Sequence, residues 1–165
     1  MSEAAARIWT RKGFVDNRYG ENSGATFFSP EEATGKIGSG SANVLVLEAG
    51  DEVGGVKSRL AEIDAVFIRF PVFSDGRGFS MARRLRERYG FNGEIRATGH
   101  VILDQIPLAL RVGFDSIEVS HGPTLARLEK GQVPELAIYL QPASGEEARA
   151  GGRAWARRRA EAPAA

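Results

Sequence analysis

The sequence predicts a single α/β domain of βα repeats around a mostly parallel sheet. Three observations carry this expectation. Val44–Leu47 and Ala65–Ile68 are continuous apolar runs, the mark of strands buried on both faces. Segments with apolar residues at helical spacing alternate with these runs. The alternation continues to about residue 141, which implies right-handed crossovers between parallel strands. An open three-layer sheet and a partial, barrel-like arc both fit this rhythm.

Residues 1–43 are more weakly patterned and are expected to form a small irregular segment. Arg7–Thr10 and Phe14–Asp16 flank Arg11–Gly13 as a hairpin would. Asn17–Gly24 and Gly35–Asn43 are rich in Gly, Ser and Asn and read as loops, with Pro30–Ala33 as a short helix between them.

The α/β domain proper spans residues 44–141. After the first strand, Val53, Val56 and Leu60 follow at helical spacing. Ala65–Phe70 is the second strand. Phe79, Ala82, Leu85 and Tyr89 then mark one helical face, which Gly90 closes. Glu94–Thr98 is the third strand. Asp104 is placed to cap a helix that turns Ile106, Ala109 and Leu110 inward and ends at Gly113. Pro107 falls in its first turn, where a missing N–H costs little. Ser116–Val119 is the fourth strand, Pro123–Lys130 a short helix ended by Gly131, and Leu136–Leu140 the fifth strand. Residues 142–165 are rich in Ala, Gly and Arg and are expected to be a flexible tail.

Composition bounds the chemistry. The 165 residues contain no cysteine, which excludes disulfides, thiolate zinc sites and cysteine-held iron–sulfur clusters within the chain. A net charge of +1 gives no global attraction to nucleic acid, and no basic-aromatic interleaving appears. No apolar run approaches the roughly 20 residues of a membrane span, and Met1–Arg7 lacks a signal-peptide core. The expectation is a cytoplasmic protein. Dinucleotide and P-loop fingerprints are both missing.

In a parallel sheet the polar residues that follow each strand converge on one edge. Here they are Glu48 and Asp51; Arg69, Asp75 and Arg77; Thr98, His100 and Asp104; Glu118, Ser120 and His121. Asp75–Gly78 is the sharpest segment. Gly76 and Gly78 allow close backbone approach, Arg77 suits a bidentate oxyanion contact, and the next helix adds a positive N-terminus. The plainer alternative is a tight turn in which Asp75 caps the helix and Arg77 is solvated. Arg69, in an apolar strand, must be exposed or paired, with Asp75 or Asp104 as partner. His121 and Asp104 are candidates for proton transfer, as is Asp75, and His100 shares that chemistry. No metal-ligand spacing supports a metal site. Arg83, Arg84, Arg86 and Arg88 form a basic helix face, either solvated or docked to an acidic partner.

The run from Phe70 to Val119 resembles a bacterial family, the domain of unknown function 934. The resemblance rests on Phe73–Arg83, Leu85–Gly90, Gly93–Gly99, Asp104-Gln105 and Arg111–Asp115. It covers residues 44–141. Members are encoded beside assimilatory sulfite reductase and carry a label as oxidoreductases of sulfite reduction. The chain departs from the family pattern at His100, where an acidic residue is expected. By match to the motifs, the resemblance implies roles for Asp75, Arg77, Ser80, Arg83, Arg96, Asp104 and Gln105. It implies an accessory protein of sulfite reduction that acts with a sulfite reductase component. A second reading is an enzyme or sensor that holds a small oxyanion or phosphorylated metabolite at the strand ends. Flavin or NADPH enters only through the label, without a motif.

Overall fold

Five parallel strands stand in the sheet in the order they occupy in the chain. In the computed structural model, residues 5–33 and 40–134 are described, together with Ile138–Tyr139 and Arg158–Arg159. The parallel set is β3 (Ala25–Phe28), β4 (Ala42–Glu48), β5 (Ala65–Phe70), β6 (Glu94–Gly99) and β7 (Ser116–Val119). A hairpin of β1 (Arg7–Thr10) and β2 (Gly13–Val15) adds antiparallel to β7. The result is an open seven-stranded sheet in the order β2-β1-β7-β6-β5-β4-β3.

This order decides where the helices go. Each right-handed crossover steps one strand in the same direction, so every connection returns over the same face. Helices α1 (Pro30–Ala33), α2 (Arg77–Glu87), α3 (Ile106–Val112) and α4 (Gly122–Glu129) all pack there, with a 3₁₀ segment at Val53–Glu62. They meet Leu45, Leu47, Val66, Ile68, Phe70, Ile95, Ala97, Ile117 and Val119 in one core. Among the described residues no helix covers the second face, and the sheet is open and does not close into a barrel. Among the described residues, too, no helix is long and apolar enough to cross a membrane.

Several elements differ from the sequence reading. The fifth parallel strand is Ala25–Phe28, to which the sequence reading assigns no element; four residues at a sheet edge carry too little pattern to announce a strand. Ile138–Tyr139 is extended but pairs antiparallel with Arg158–Arg159, outside the main sheet. Most of the expected tail lies outside the described residues. The segment Val53–Glu62 winds as a 3₁₀ helix, consistent with the cost of Gly54 and Gly55 in an α-helix. Asp104 does not cap α3. It is exposed in a 3₁₀ turn at Leu103–Gln105, and Gln105 precedes the first helical residue.

Two arginines tie the framework. Arg86 leaves α2 toward the N-terminal edge of the sheet and donates to the carbonyls of Phe91 (2.6 Å), Gly93 (2.9 Å) and Gly113 (3.0 Å) and to the Asp115 carboxylate. Asp115 also accepts the Ile95 amide at 2.8 Å. Arg86 is therefore an internal brace and not part of an exposed basic face. Arg96 lies on the helix-free face and is 2% exposed. Glu94 accepts two of its N–H groups (3.0 and 2.8 Å), Ser116 Oγ a third contact (3.1 Å), and Asn17 Oδ1 another (2.7 Å). Its guanidinium sits over the Phe67 ring at 4.5 Å and the Tyr19 ring at 5.3 Å. Burial, reinforced by the Glu94 charge, raises the Tyr19 phenol above its ordinary pKa.

Removing one member of such a pair strands the other. Arg96→Met is expected to lower unfolding free energy by about 3–5 kcal/mol, and the double change with Glu94→Met to recover most of it. Urea unfolding of the two variants checks this; equal loss in both would show that packing, not charge pairing, dominates.

Candidate functional site

The parallel register lines up polar side chains across the C-terminal half of the helix-free face. Glu48, Arg69 and Thr98 are direct cross-strand partners on β4, β5 and β6. Glu118 follows on β7, one residue beyond the paired Ala97 and Ile117, and is itself opposite Ile8. At the end of β6, Gly99 has φ 83°, and a Cβ there would come within 2.4 Å of the Phe70 carbonyl. Only glycine fits that turn. The next amide, from His100, donates to the same carbonyl at 2.8 Å, which brings His100 to the strand ends.

These elements enclose a cleft of about 470 Å³, lined by Glu48, Arg69, Phe70, Pro71, Gly99, His100, Glu118, Ser120 and Ala6. Its charges are loosely held. Arg69 lies 3.5 Å from Glu48, with side chains 63% and 53% exposed, and such an exposed contact contributes little to stability. The sequence reading had offered Asp75 or Asp104 as the partner of Arg69. The strand register selects Glu48 instead.

The Asp75–Gly78 loop is built differently. Arg77 donates to both Asp75 oxygens, at 2.9 and 2.7 Å, and its backbone amide donates to the same carboxylate at 3.2 Å. These hydrogen bonds hold the Asp75 carboxyl below its ordinary pKa. The Arg77 fork lies against Gly50, where a Cβ would approach it to 2.6 Å. Neither Gly76 nor Gly78 takes positive φ. Gly78 instead lets α2 settle on β5, since a Cβ there would come within 2.6 Å of the Phe70 ring and 3.0 Å of Ile68. Gln105 braces the loop from the other side: its Oε1 accepts the Ile102 amide at 3.1 Å and its Nε2 donates to the Phe73 carbonyl.

The structure thus divides the residues singled out from the sequence. Arg69 and His100 meet in the cleft with Glu48, Glu118 and Ser120. Asp75, Gly76, Arg77, Gly78 and Ser80 sit on the neighbouring loop and the first turns of α2, outside the lining. Arg96 is two residues earlier on β6 and committed to its buried network. Asp104 and Gln105 lie on the turn after β6. His121 stands at the start of α4 with Nδ1 2.8 Å from Thr124 Oγ1. On α2, Arg83 pairs with Glu87 at 2.9 Å, while Arg84 and, just past the end of the helix, Arg88 are exposed. Sequence reading named the polar strand ends but kept only Arg69 of the cleft lining among its binding residues. The period-two alternation along β4 to β7, which puts Glu48, Arg69, Thr98 and Glu118 on one face, was the signal that singles them out. Among the described residues no cluster of three or more His, Asp or Glu is placed to hold a metal ion.

Fold and site together define an open α/β protein with helices on one face and a mixed-charge cleft at its strand ends. The family model described as "Bacterial protein of unknown function (DUF934)" matches residues 44–150, and the chain belongs to that family. No curated protein and no solved structure matches it.

Because the folded Asp75 pKa is depressed, the Arg77 contact favours the folded state above the ordinary aspartate pKa. That contribution disappears as pH falls through the folded value. Arg77→Gln is expected to move the Asp75 titration upward in a carboxyl-resolved NMR experiment. An unchanged midpoint would show that the backbone amide alone sets it.

Proposed function

We propose that this protein is a cytoplasmic accessory component of assimilatory sulfite reduction that works through its strand-end cleft. The family resemblance supports the pathway. The cleft supports the place, and it is the observation on which the reading rests: Arg69 and Glu48, joined only by a long and exposed contact, are gathered with His100, Glu118 and Ser120 around one open volume. With no cysteine, the chain has no thiolate to hold a cluster. Its contribution is therefore binding or proton transfer beside a reductase that carries the electrons. Arg69 suits an anionic group, and His100 and Glu118 suit proton exchange with a ligand near it.

Contact with a sulfite reductase component would fall on the exposed side of α2. Arg84, Arg88 and the half-neutralised Arg83 can meet an acidic surface, whereas Arg86 is spent internally. A second reading, a small-oxyanion sensor, is favoured by the weak hold on Arg69. It is disfavoured at Arg77, whose fork is already filled by Asp75.

A deletion strain is expected to grow on sulfide or cysteine and to fail on sulfite or sulfate as sole sulfur source. Wild-type protein should restore growth and Arg69→Gln should not. Normal growth of the deletion strain on sulfite would overturn the reading. Charge reversal at Arg84 and Arg88 should in turn reduce co-purification with the reductase, and full retention would remove α2 as the docking face.

A further inference from the structure

We infer that the strand-end cleft binds a free α-amino acid, with the ligand carboxylate on Arg69 and its ammonium group on Glu118. This rests on the reading above that the cleft is the working site, and it names the class of ligand.

Charge balance is the first argument. The lining holds two carboxylates, Glu48 and Glu118, against one guanidinium, Arg69. The carboxylates outnumber the guanidinium two to one. A bare oxyanion such as sulfite or sulfate would meet one cation already in contact with Glu48 and two repelling carboxylates. A simple amine would leave the Arg69 fork unused. A zwitterion satisfies both signs at once, since Arg69 offers a planar fork for a carboxylate and Glu118 accepts from an ammonium.

Geometry is the second. Arg69 and Glu118 stand on the same face of the sheet with one strand, β6, between them. Two strand spacings of about 4.8 Å put their Cα atoms roughly 10 Å apart. That span leaves room between the two side chains for a group whose opposite charges are separated by a single tetrahedral carbon. Ser120, also in the lining, offers a hydroxyl that can donate to the carboxylate or accept from the ammonium.

Size is the third. The cleft measures about 470 Å³ and is partly open to solvent, which is more room than a single tetrahedral oxyanion of about five heavy atoms fills and is enough for a small organic ligand. Pro71 in the lining gives a non-polar wall for an amino-acid side chain.

The test uses the purified full-length chain. Thermal-shift and calorimetric titrations are run with each of the 20 proteinogenic L-amino acids, and with sulfate, sulfite and phosphate. Binding by at least one amino acid is expected, and its N-acetyl and carboxamide derivatives should fail to bind. Arg69→Gln and Glu118→Gln should each weaken binding by about tenfold or more, the scale of one charge-assisted contact. Arg69→Lys should retain part of it. Urea midpoints of the variants confirm that they fold, with Glu118→Asp as substitute if Glu118→Gln does not. No binding by any amino acid, binding unchanged in Glu118→Gln, or oxyanion binding in its place would each overturn the inference. The same variants expressed in the deletion strain separate the two levels. If they fail to restore growth while no amino acid binds, the ligand class falls and the cleft stands as the working site. If they restore growth, the cleft reading itself falls.

Discussion

Crossover handedness is the constraint from which the rest follows. Five parallel strands in chain order, each joined by a right-handed connection, must place all their helices on one face. The apolar core gathers there, and the helix-free face has to be stabilised by other means. It divides in two along the strands. Toward the N-terminal ends, Arg96 is sealed beneath Tyr19 and Phe67 with Glu94, Asn17 and Ser116 as partners. Toward the C-terminal ends, the same register brings up Glu48, Arg69, Thr98 and Glu118, with no aromatic cover of that kind among the described residues. One face is thus a second small core at one end and an open polar cleft at the other.

The two edges of the sheet differ in the same sense. At the N-terminal edge, Arg86 and Asp115 join α2, α3 and the starts of β6 and β7 through backbone carbonyls and amides. Those acceptors lie in loops that have no ladder to use, and an unmade bond there carries the full desolvation cost of the group. At the C-terminal edge, the Arg69–Glu48 contact is long and exposed, and the loops are set by the positive φ of Gly99, the Gln105 brace to Phe73 and the Asp75–Arg77 pair. The lower edge is hydrogen-bonded through Arg86 and Asp115, whereas the upper edge keeps charges that are not fully satisfied, which is the condition for binding something else.

Much of this framework was legible in the sequence, and the limits are physical. The runs Val44–Leu47 and Ala65–Ile68 announced strands because a parallel strand between two neighbours is apolar almost throughout. Gly90, Gly113 and Gly131 marked helix ends, and each has positive φ. Ala25–Phe28 was missed because an edge strand is half exposed and takes its identity from β4, whose register no local pattern encodes. Arg86 was grouped with Arg83, Arg84 and Arg88 because they are neighbours in the chain. Its partners at Phe91, Gly93, Gly113 and Asp115 become neighbours only after folding. The cleft was visible as a set of polar strand ends, but the ranking within that set was drawn toward Asp75 and Arg77, whose spacing is local. That spacing lets them satisfy each other.

Four arginines show why the ranking changes once the fold is known. A guanidinium has five N–H donors in a fixed plane, and its capacity to bind a ligand is what its own protein leaves unused. Arg86 is engaged by three carbonyls and a carboxylate. Arg96 is engaged by Glu94, Ser116 and Asn17 and covered by the neighbouring Phe67 and Tyr19 rings. Arg77 gives its fork to one carboxylate in the bidentate geometry that an oxyanion would need. Arg69 has only a 3.5 Å contact with Glu48. The first two could not be turned to a ligand without exposing buried acceptors, and the third would have to release Asp75. Only Arg69 can take up an anionic group while giving up an exposed contact worth little. It is also the one of the four that lines the cleft, so the unspent donor and the open volume coincide.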